Sequence, residues 1–203
     1  DYPAKLSIDY PDRQLNRLTT FFRIFVAIPI LIILGLIVGT SGSWNNGNWS
    51  TQLAAGGLLF LPVIFMLLFR KKYPKWWFDW NLAITRFSTR VWAYLSLMTD
   101  VYPSTDEEQS VHIDIEYPDA ATLSRGLPLV KWILAIPHLI VLICLFIAVD
   151  VVIIIVWFAI LFTGRYPRQL FDFVVDVYRW SLRVFTYAFL LVTDKYPPFS
   201  FSA

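Results

Sequence analysis

Few side chains in this sequence are placed to do covalent chemistry. His112 lies in an alternating polar and apolar stretch, His138 follows Pro137 inside an apolar run, and Cys144 stands further along the same run. No cysteine, histidine or carboxylate sits at ligand spacing from either histidine, so no metal centre is expected. A lone cysteine also excludes an intramolecular disulfide. The sequence contains no glycine-rich phosphate loop, no nucleophile elbow and no paired-histidine zinc motif. Asp150 is a solitary carboxylate in a long apolar stretch, where such a group can relay protons, but it has no evident ionisable partner at that depth. The chain therefore reads as a non-enzyme with no catalytic residue and no cofactor, and phospholipid is the bound molecule to expect.

The chemistry that the spacing does support is charge against charge and charge against lipid. At 100° per residue, Asp172, Asp176, Arg179 and Arg183 fall within a wedge of roughly 60° on a helix, and Asp79, Arg86 and Arg90 do likewise. The remaining surface of each segment is Phe, Val, Leu, Trp and Tyr, with an occasional Ser or Thr. Such a pattern predicts an amphipathic helix lying in the headgroup layer, with Asp and Arg pairing at three- and four-residue spacing. A third membrane span is the rival reading, but charges in hydrocarbon cost about 2.5–3.5 kcal/mol each on insertion scales. A second set is purely basic: Arg70, Lys71, Lys72 and Lys75 in one place, Arg165 and Arg168 in another, each beside a Tyr-Pro pair. With Trp76, Trp77 and Trp80 next to the first group, these cations are candidates for anionic lipid headgroups.

The elements that would position these groups come twice. Residues 163–194 repeat 70–101: Tyr166-Pro167 matches Tyr73-Pro74, Phe171-Asp172 matches Phe78-Asp79, Arg179 and Arg183 match Arg86 and Arg90, and Tyr187 matches Tyr94. Upstream, Arg17, Arg23, Ala27 and Pro29 register with Arg125, Lys131, Ala135 and Pro137. Residues 4–12 and 111–119 alternate like short strands and stop at Tyr10-Pro11 and Tyr117-Pro118. The chain is thus a tandem duplication, with a first unit over 1–104 and a second over 105–203.

Composition sets the solvent. Of the 203 residues, 57% are hydrophobic and only 16% charged, and the mean hydropathy of +0.57 is that of an integral membrane protein. A net charge of +2, with no Lys/Arg run that looks like a nucleic-acid tract rather than a membrane flank, gives no reason to expect nucleic acid. In the first unit, apolar runs predict a membrane hairpin over 18–39 and 53–69, with Arg23 snorkelling to the surface, followed by an in-plane helix over 76–99. In the second, a straight helix over 127–162 would be roughly 55 Å long, against about 30 Å of hydrocarbon. A hairpin of 127–148 and 150–163 with its tip near Asp150 is therefore expected, followed by an in-plane helix over 170–193. The basic residues then all lie on one side, which the positive-inside rule makes cytoplasmic, together with both termini. The fold class expected is an all-α, multi-pass membrane protein, each unit a transmembrane hairpin plus an in-plane amphipathic helix, preceded by a short strand outside the membrane.

The second unit, LSRGLPLVKWILAIPHLIVL followed by GRYPRQLFDFVVDVYRWSLRVFTYAFLLVTDKYPPFS, resembles a bacterial membrane family known only as a domain of unknown function, DUF4389. A more divergent copy covers 8–104, with Lys71 in place of Gly164, Ile30 in place of His138 and an inserted loop at 40–52. The resemblance implies a bacterial inner-membrane location and the two-hairpin repeat, and carries over no activity. The function expected is a non-enzymatic scaffold or accessory subunit, which packs against another integral membrane protein or itself and organises lipid. A small channel or carrier between the two units, and a lipid-binding or membrane-shaping protein, are the alternatives.

Overall fold

The computed structural model describes residues 2–38, 40–45, 48–53, 73–107, 109–119, 123–124 and 126–201, of which 40–53 are described as backbone only. The span expected over 53–69 and the cations Arg70, Lys71 and Lys72 lie almost entirely outside the described residues. In chain order the elements are β1 (Ala4–Ile8), α1 (Arg17–Val38), the hairpin strands β2 (Thr40–Asn45) and β3 (Asn48–Leu53), α2 (Lys75–Leu95), β4 (Val111–Ile115), α3 (Leu127–Thr163) and α4 (Arg168–Ala188).

β1 and β4, the two stretches that alternate in sequence, pair with each other antiparallel, with Leu6 opposite Ile113 at the centre. Each strand ends before its Tyr-Pro pair, because proline cannot donate to the ladder. Ala4, Leu6, Ile8, Val111, Ile113 and Ile115 are buried, while Lys5, Ser7, His112 and Asp114 face outward, as a period of two requires. Bonds from Asp9 N to Ser110 O (2.9 Å) and from Glu116 N to Pro3 O (3.0 Å) mark the odd-numbered β1 positions as the hydrogen-bonded pairs. Leu6 and Ile113 thus form a non-bonded pair whose carbonyls point to the two open edges. Those edges are closed by arginines: Arg179 donates to Leu6 O (2.9 Å), and Arg86 donates twice to Ile113 O (3.2 and 3.1 Å).

The helices lie in two layers beneath this sheet. α4 is packed between β1 and α3, and α2 between β4 and α1. Ala27, Ile30 and Leu34 of α1 meet Phe87, Val91 and Tyr94 of α2, and Ala135 and Leu142 of α3 meet Trp180, Val184, Tyr187 and Ala188 of α4. Between the layers and under the sheet runs a larger core that includes Phe171, Val174 and Val177 with Val149, Val156 and Ile160. The contacts cross between the halves of the chain. Tyr10, just after β1, donates to the carbonyl of Tyr166 and stacks edge-on with Phe171. Tyr117, just after β4, donates to Tyr73 O (2.7 Å) and stacks edge-on with Phe78. The start of α1 meets the end of α3, with Arg17 donating to Phe162 O and Trp157 donating to Thr20 O, both at 3.2 Å, so these two helices run in opposite senses.

The membrane hairpin expected over 127–148 and 150–163 is overturned. α3 is a single helix of 37 residues, with no hairpin at Asp150. Val149-Asp150-Val151 offers neither glycine nor proline to turn on, so the i to i−4 ladder continues through it. The expectation assumed that the helix axis must cross the bilayer, and nothing local enforces that. The helix stops at Gly164, which takes φ +73° and whose N–H bonds Ile160 O at 2.7 Å, a left-handed stop that glycine adopts without steric penalty. α1 and α3 are, by length and composition, the two described helices able to cross a membrane.

Removing either edge-closing arginine should leave a strand carbonyl to water. Because both side chains are part-exposed, Arg86→Met and Arg179→Met are each expected to lower stability by only about 1 kcal/mol. Denaturant titration of the detergent-solubilised protein checks this, and near-equal losses are the outcome expected of the two positions.

Candidate functional site

The most strongly built polar sites are two matching ion clusters. Arg23 of α1 is 2% exposed and Lys131 of α3 is 1% exposed, so neither reaches the surface as a snorkelling cation would. The expectation of a snorkelling Arg23 fails because its position belongs to the buried stripe of α1, with Thr20, Ala27, Ile30 and Leu34 at three- and four-residue spacing. Arg23 pairs with Asp100, donates to Tyr94 O (2.6 Å) and Thr99 O (2.7 Å), and lies 4.4 Å from the centre of the Tyr94 ring. Lys131 pairs with Asp194 (2.7 Å), donates to Thr193 O (2.7 Å) and lies 5.2 Å from the Tyr187 ring.

The backbone that delivers each aspartate is unusual. After α2 and α4 the chain passes through Leu97 (φ +64°) and Leu191 (φ +58°), left-handed conformations that a side chain normally disfavours by about 1–2 kcal/mol. Both leucines are buried, at 3% and 0% exposure, and the turn carries Thr99-Asp100 and Thr193-Asp194 back to the start of the preceding apolar helix. There the second carboxylate oxygen accepts a backbone N–H, from Asn16 (2.7 Å) in one cluster and from Ser124 (2.6 Å) in the other. Each aspartate thus ties three segments together. For Asp194, burial pushes the carboxyl upward, but the Lys131 ammonium and the Ser124 N–H outweigh it and hold the group below the usual carboxylate range.

The charged stripes serve the same purpose. Arg90 donates to Ser104 O (3.0 Å) and Arg183 to Ser200 O (2.7 Å), pinning the segment that follows each amphipathic helix. Asp176 pairs with Arg179 (2.9 Å) and Asp172 with Arg168 (3.3 Å), while Asp79 is exposed. The expected pairing at three-residue spacing thus forms between Asp176 and Arg179, while Arg86, Arg90 and Arg183 bond the main chain of other segments. Of the described basic candidates, Lys75, Arg165 and Arg168 are all exposed, and Arg168 lies over the Tyr10 ring at 4.5 Å. The structure does not gather them into one pocket.

His138 is fully buried; its Nδ1 accepts from Trp180 Nε1 (3.1 Å), and its ring stacks on Phe199 at 3.8 Å with an interplanar angle of 12°. His112 pairs with Asp9 (3.1 Å) on the outer face of the sheet. A half-open cavity of about 1020 Å³ lies between the helices, with Leu6 and Ile113 of the sheet, Leu34 of α1 and Phe146 of α3 in its walls. Asn81, Thr85, Ser88 and Thr89 line it too, but Asn81 donates to Trp77 O and the three hydroxyls to carbonyls of their own helix. Asp150 and Tyr178 also line it; burial pushes the Tyr178 hydroxyl up to about 12, and that hydroxyl is hydrogen-bonded to Ser96. Most of the side chains in the cavity walls are apolar. Sequence reasoning missed Asp100, Asp194 and the two tyrosines as a unit, although the paired Thr-Asp steps and the Arg23/Lys131 register were both visible.

Breaking one buried pair should be costly and removing both charges less so. Lys131→Met is expected to destabilise by about 3 kcal/mol, and Lys131→Met with Asp194→Asn to recover much of it. Denaturation of the two variants beside the unmodified protein decides. Because the folded pKa of Asp194 is lowered, its contribution is fully present above the ordinary carboxylate pKa of about 4 and is lost as pH falls through the lower folded value. Asp194→Asn should therefore flatten the acid limb of a stability–pH curve.

No curated protein and no solved structure matches the chain. Its second half does match a family: over residues 128–200, from the start of α3 to the segment pinned by Arg183, it is similar to the family described as a domain of unknown function, DUF4389.

Proposed function

We propose that the protein is a non-enzymatic membrane scaffold that binds phospholipid and packs against a second membrane protein or another copy of itself. The observation that carries this reading is the uncovered apolar surface of α1 and α3. Ile24, Leu36 and Phe162 are 74%, 77% and 78% exposed, and similar side chains continue along both helices. In water an apolar patch of this extent is an association or lipid-contact surface.

The strong polar interactions point inward instead. Arg23, Lys131, Arg86, Arg179 and Arg183 all hold carboxylates or main-chain carbonyls of this chain, which suits a rigid support and supplies no poised acid, base or nucleophile. The paired clusters and paired strand-edge contacts also favour descent of the two halves from one duplicated unit. A bacterial inner membrane with the basic residues on the cytoplasmic side agrees with the resemblance and with the exposed Lys75, Arg165 and Arg168.

Lipid handling is the second reading, favoured by the largely apolar cavity beside Phe146 and Leu34.

Cross-linking in native membranes followed by gentle detergent purification tests the proposal. Co-purification of phospholipid with a cross-linked membrane partner or homo-oligomer is expected. Release by carbonate wash, or a lipid-free monomer in every mild detergent, would remove it.

A further inference from the structure

Given the membrane seat proposed above, we infer that α1 and α3 lie along one leaflet of the bilayer, side-on, and that the sheet stands in water above them. The inference comes from the order of the layers. α4 runs beside α3 in the opposite sense, from the turn at Gly164 to the contact of Lys131 with Asp194. The part of α3 that it and its following segment accompany, Lys131 to Thr163, is roughly 48 Å long, more than the approximately 30 Å of hydrocarbon. The sheet is packed against α4 through β1 and against α2 through β4.

Its position along α3 is the decisive point. Leu6 and Ile113, the central pair of the sheet, share the walls of one cavity with Phe146, Val149 and Asp150, close to the midpoint of a helix that runs from Leu127 to Thr163. If α3 stood along the membrane normal with its middle in the middle of the bilayer, the sheet would sit at that depth too. Lys5, His112 and Asp114 on its outer face are exposed and would then meet acyl chains.

Laid in the plane, the same molecule separates cleanly. The apolar helices form the lowest layer, α2 and α4 come next at headgroup level, and the charged sheet is uppermost. α3 buries Lys131, Ala135, His138, Leu142, Val149 and Val156 along the stripe facing α4. On other faces it exposes Ile133, Ile140, Ile147 and Ile154 at 59–65%. Asp150, the one carboxylate of α3, lines the cavity under the sheet, alongside Tyr178. Arg17 and Arg165 are exposed where the start of α1 meets the end of α3, within reach of phosphate groups.

Spin labels report the difference. The native Cys144 is exposed and serves as one site, and single cysteines at Ile133, Ile147 and Phe162 in a Cys144→Ser background serve as the others. The protein is reconstituted in phosphatidylethanolamine–phosphatidylglycerol vesicles, and power saturation with oxygen and a water-soluble nickel chelate gives the depth of each label. In-plane helices predict four depths equal to within about one helix turn, although Ile133 and Phe162 are roughly 43 Å apart along the axis. A profile deepest near Ile147 and shallow at both ends overturns the inference while leaving the membrane seat intact. Four labels that never sense oxygen-rich hydrocarbon overturn the seat itself.

Discussion

Two buried cations hold this molecule in shape. A guanidinium at Arg23 and an ammonium at Lys131 are almost wholly withdrawn from water, and a charge so placed is tolerable only if a carboxylate and further acceptors replace its hydration. Asp100 and Asp194 supply the charge, and the carbonyls of Thr99 and Thr193 supply the acceptors. Much else follows from that requirement. The left-handed turns at Leu97 and Leu191 bring the carboxylates back, the amphipathic helices are drawn against the apolar ones, and the tyrosine rings of Tyr94 and Tyr187 lie beside the cations.

Much of this was legible in the sequence, and the failures have physical reasons. The alternation within 4–12 and 111–119 announces strands, which form over Ala4–Ile8 and Val111–Ile115, and the Tyr-Pro pairs lie between strands and helices. The amphipathic segments with Asp and Arg on one face are where the pattern puts them, as α2 and α4. Their partners are harder to read, because Arg86 and Arg179 bond main-chain carbonyls, and a carbonyl leaves no trace in the side-chain sequence. Arg23 and Asp100 are 77 positions apart, so a cation at the edge of an apolar run looks like a membrane flank until the fold brings its acid to it. The hairpin expected at Asp150 came from comparing helix length with bilayer thickness, a comparison that holds only when the axis is normal to the membrane.

The distribution of polarity also explains why two helices of such apolar character can coexist with a hydrated sheet in so short a chain. α2 and α4 act as the intermediate layer: one face of each meets isoleucines, alanines and leucines of α1 or α3, and another offers arginines to the strands. Their mixed composition suits a layer that meets apolar helices on one face and strand carbonyls on another. In the cavity beneath the sheet the polar side chains of α2 are turned back onto their own helix.

The exchange of contacts between the halves has a consequence for synthesis. β1 is made over one hundred residues before its strand partner, and Tyr2 finds its acceptor at the carbonyl of Arg183. At about 5–20 residues per second, the leading strand waits several seconds on the ribosome with an unpaired edge while α1, one of the most apolar segments, is already exposed. Neither half can complete its core alone, so a truncated product would keep that edge open. Closing that edge therefore depends on the second half of the chain being in place, a condition of assembly imposed by the topology itself.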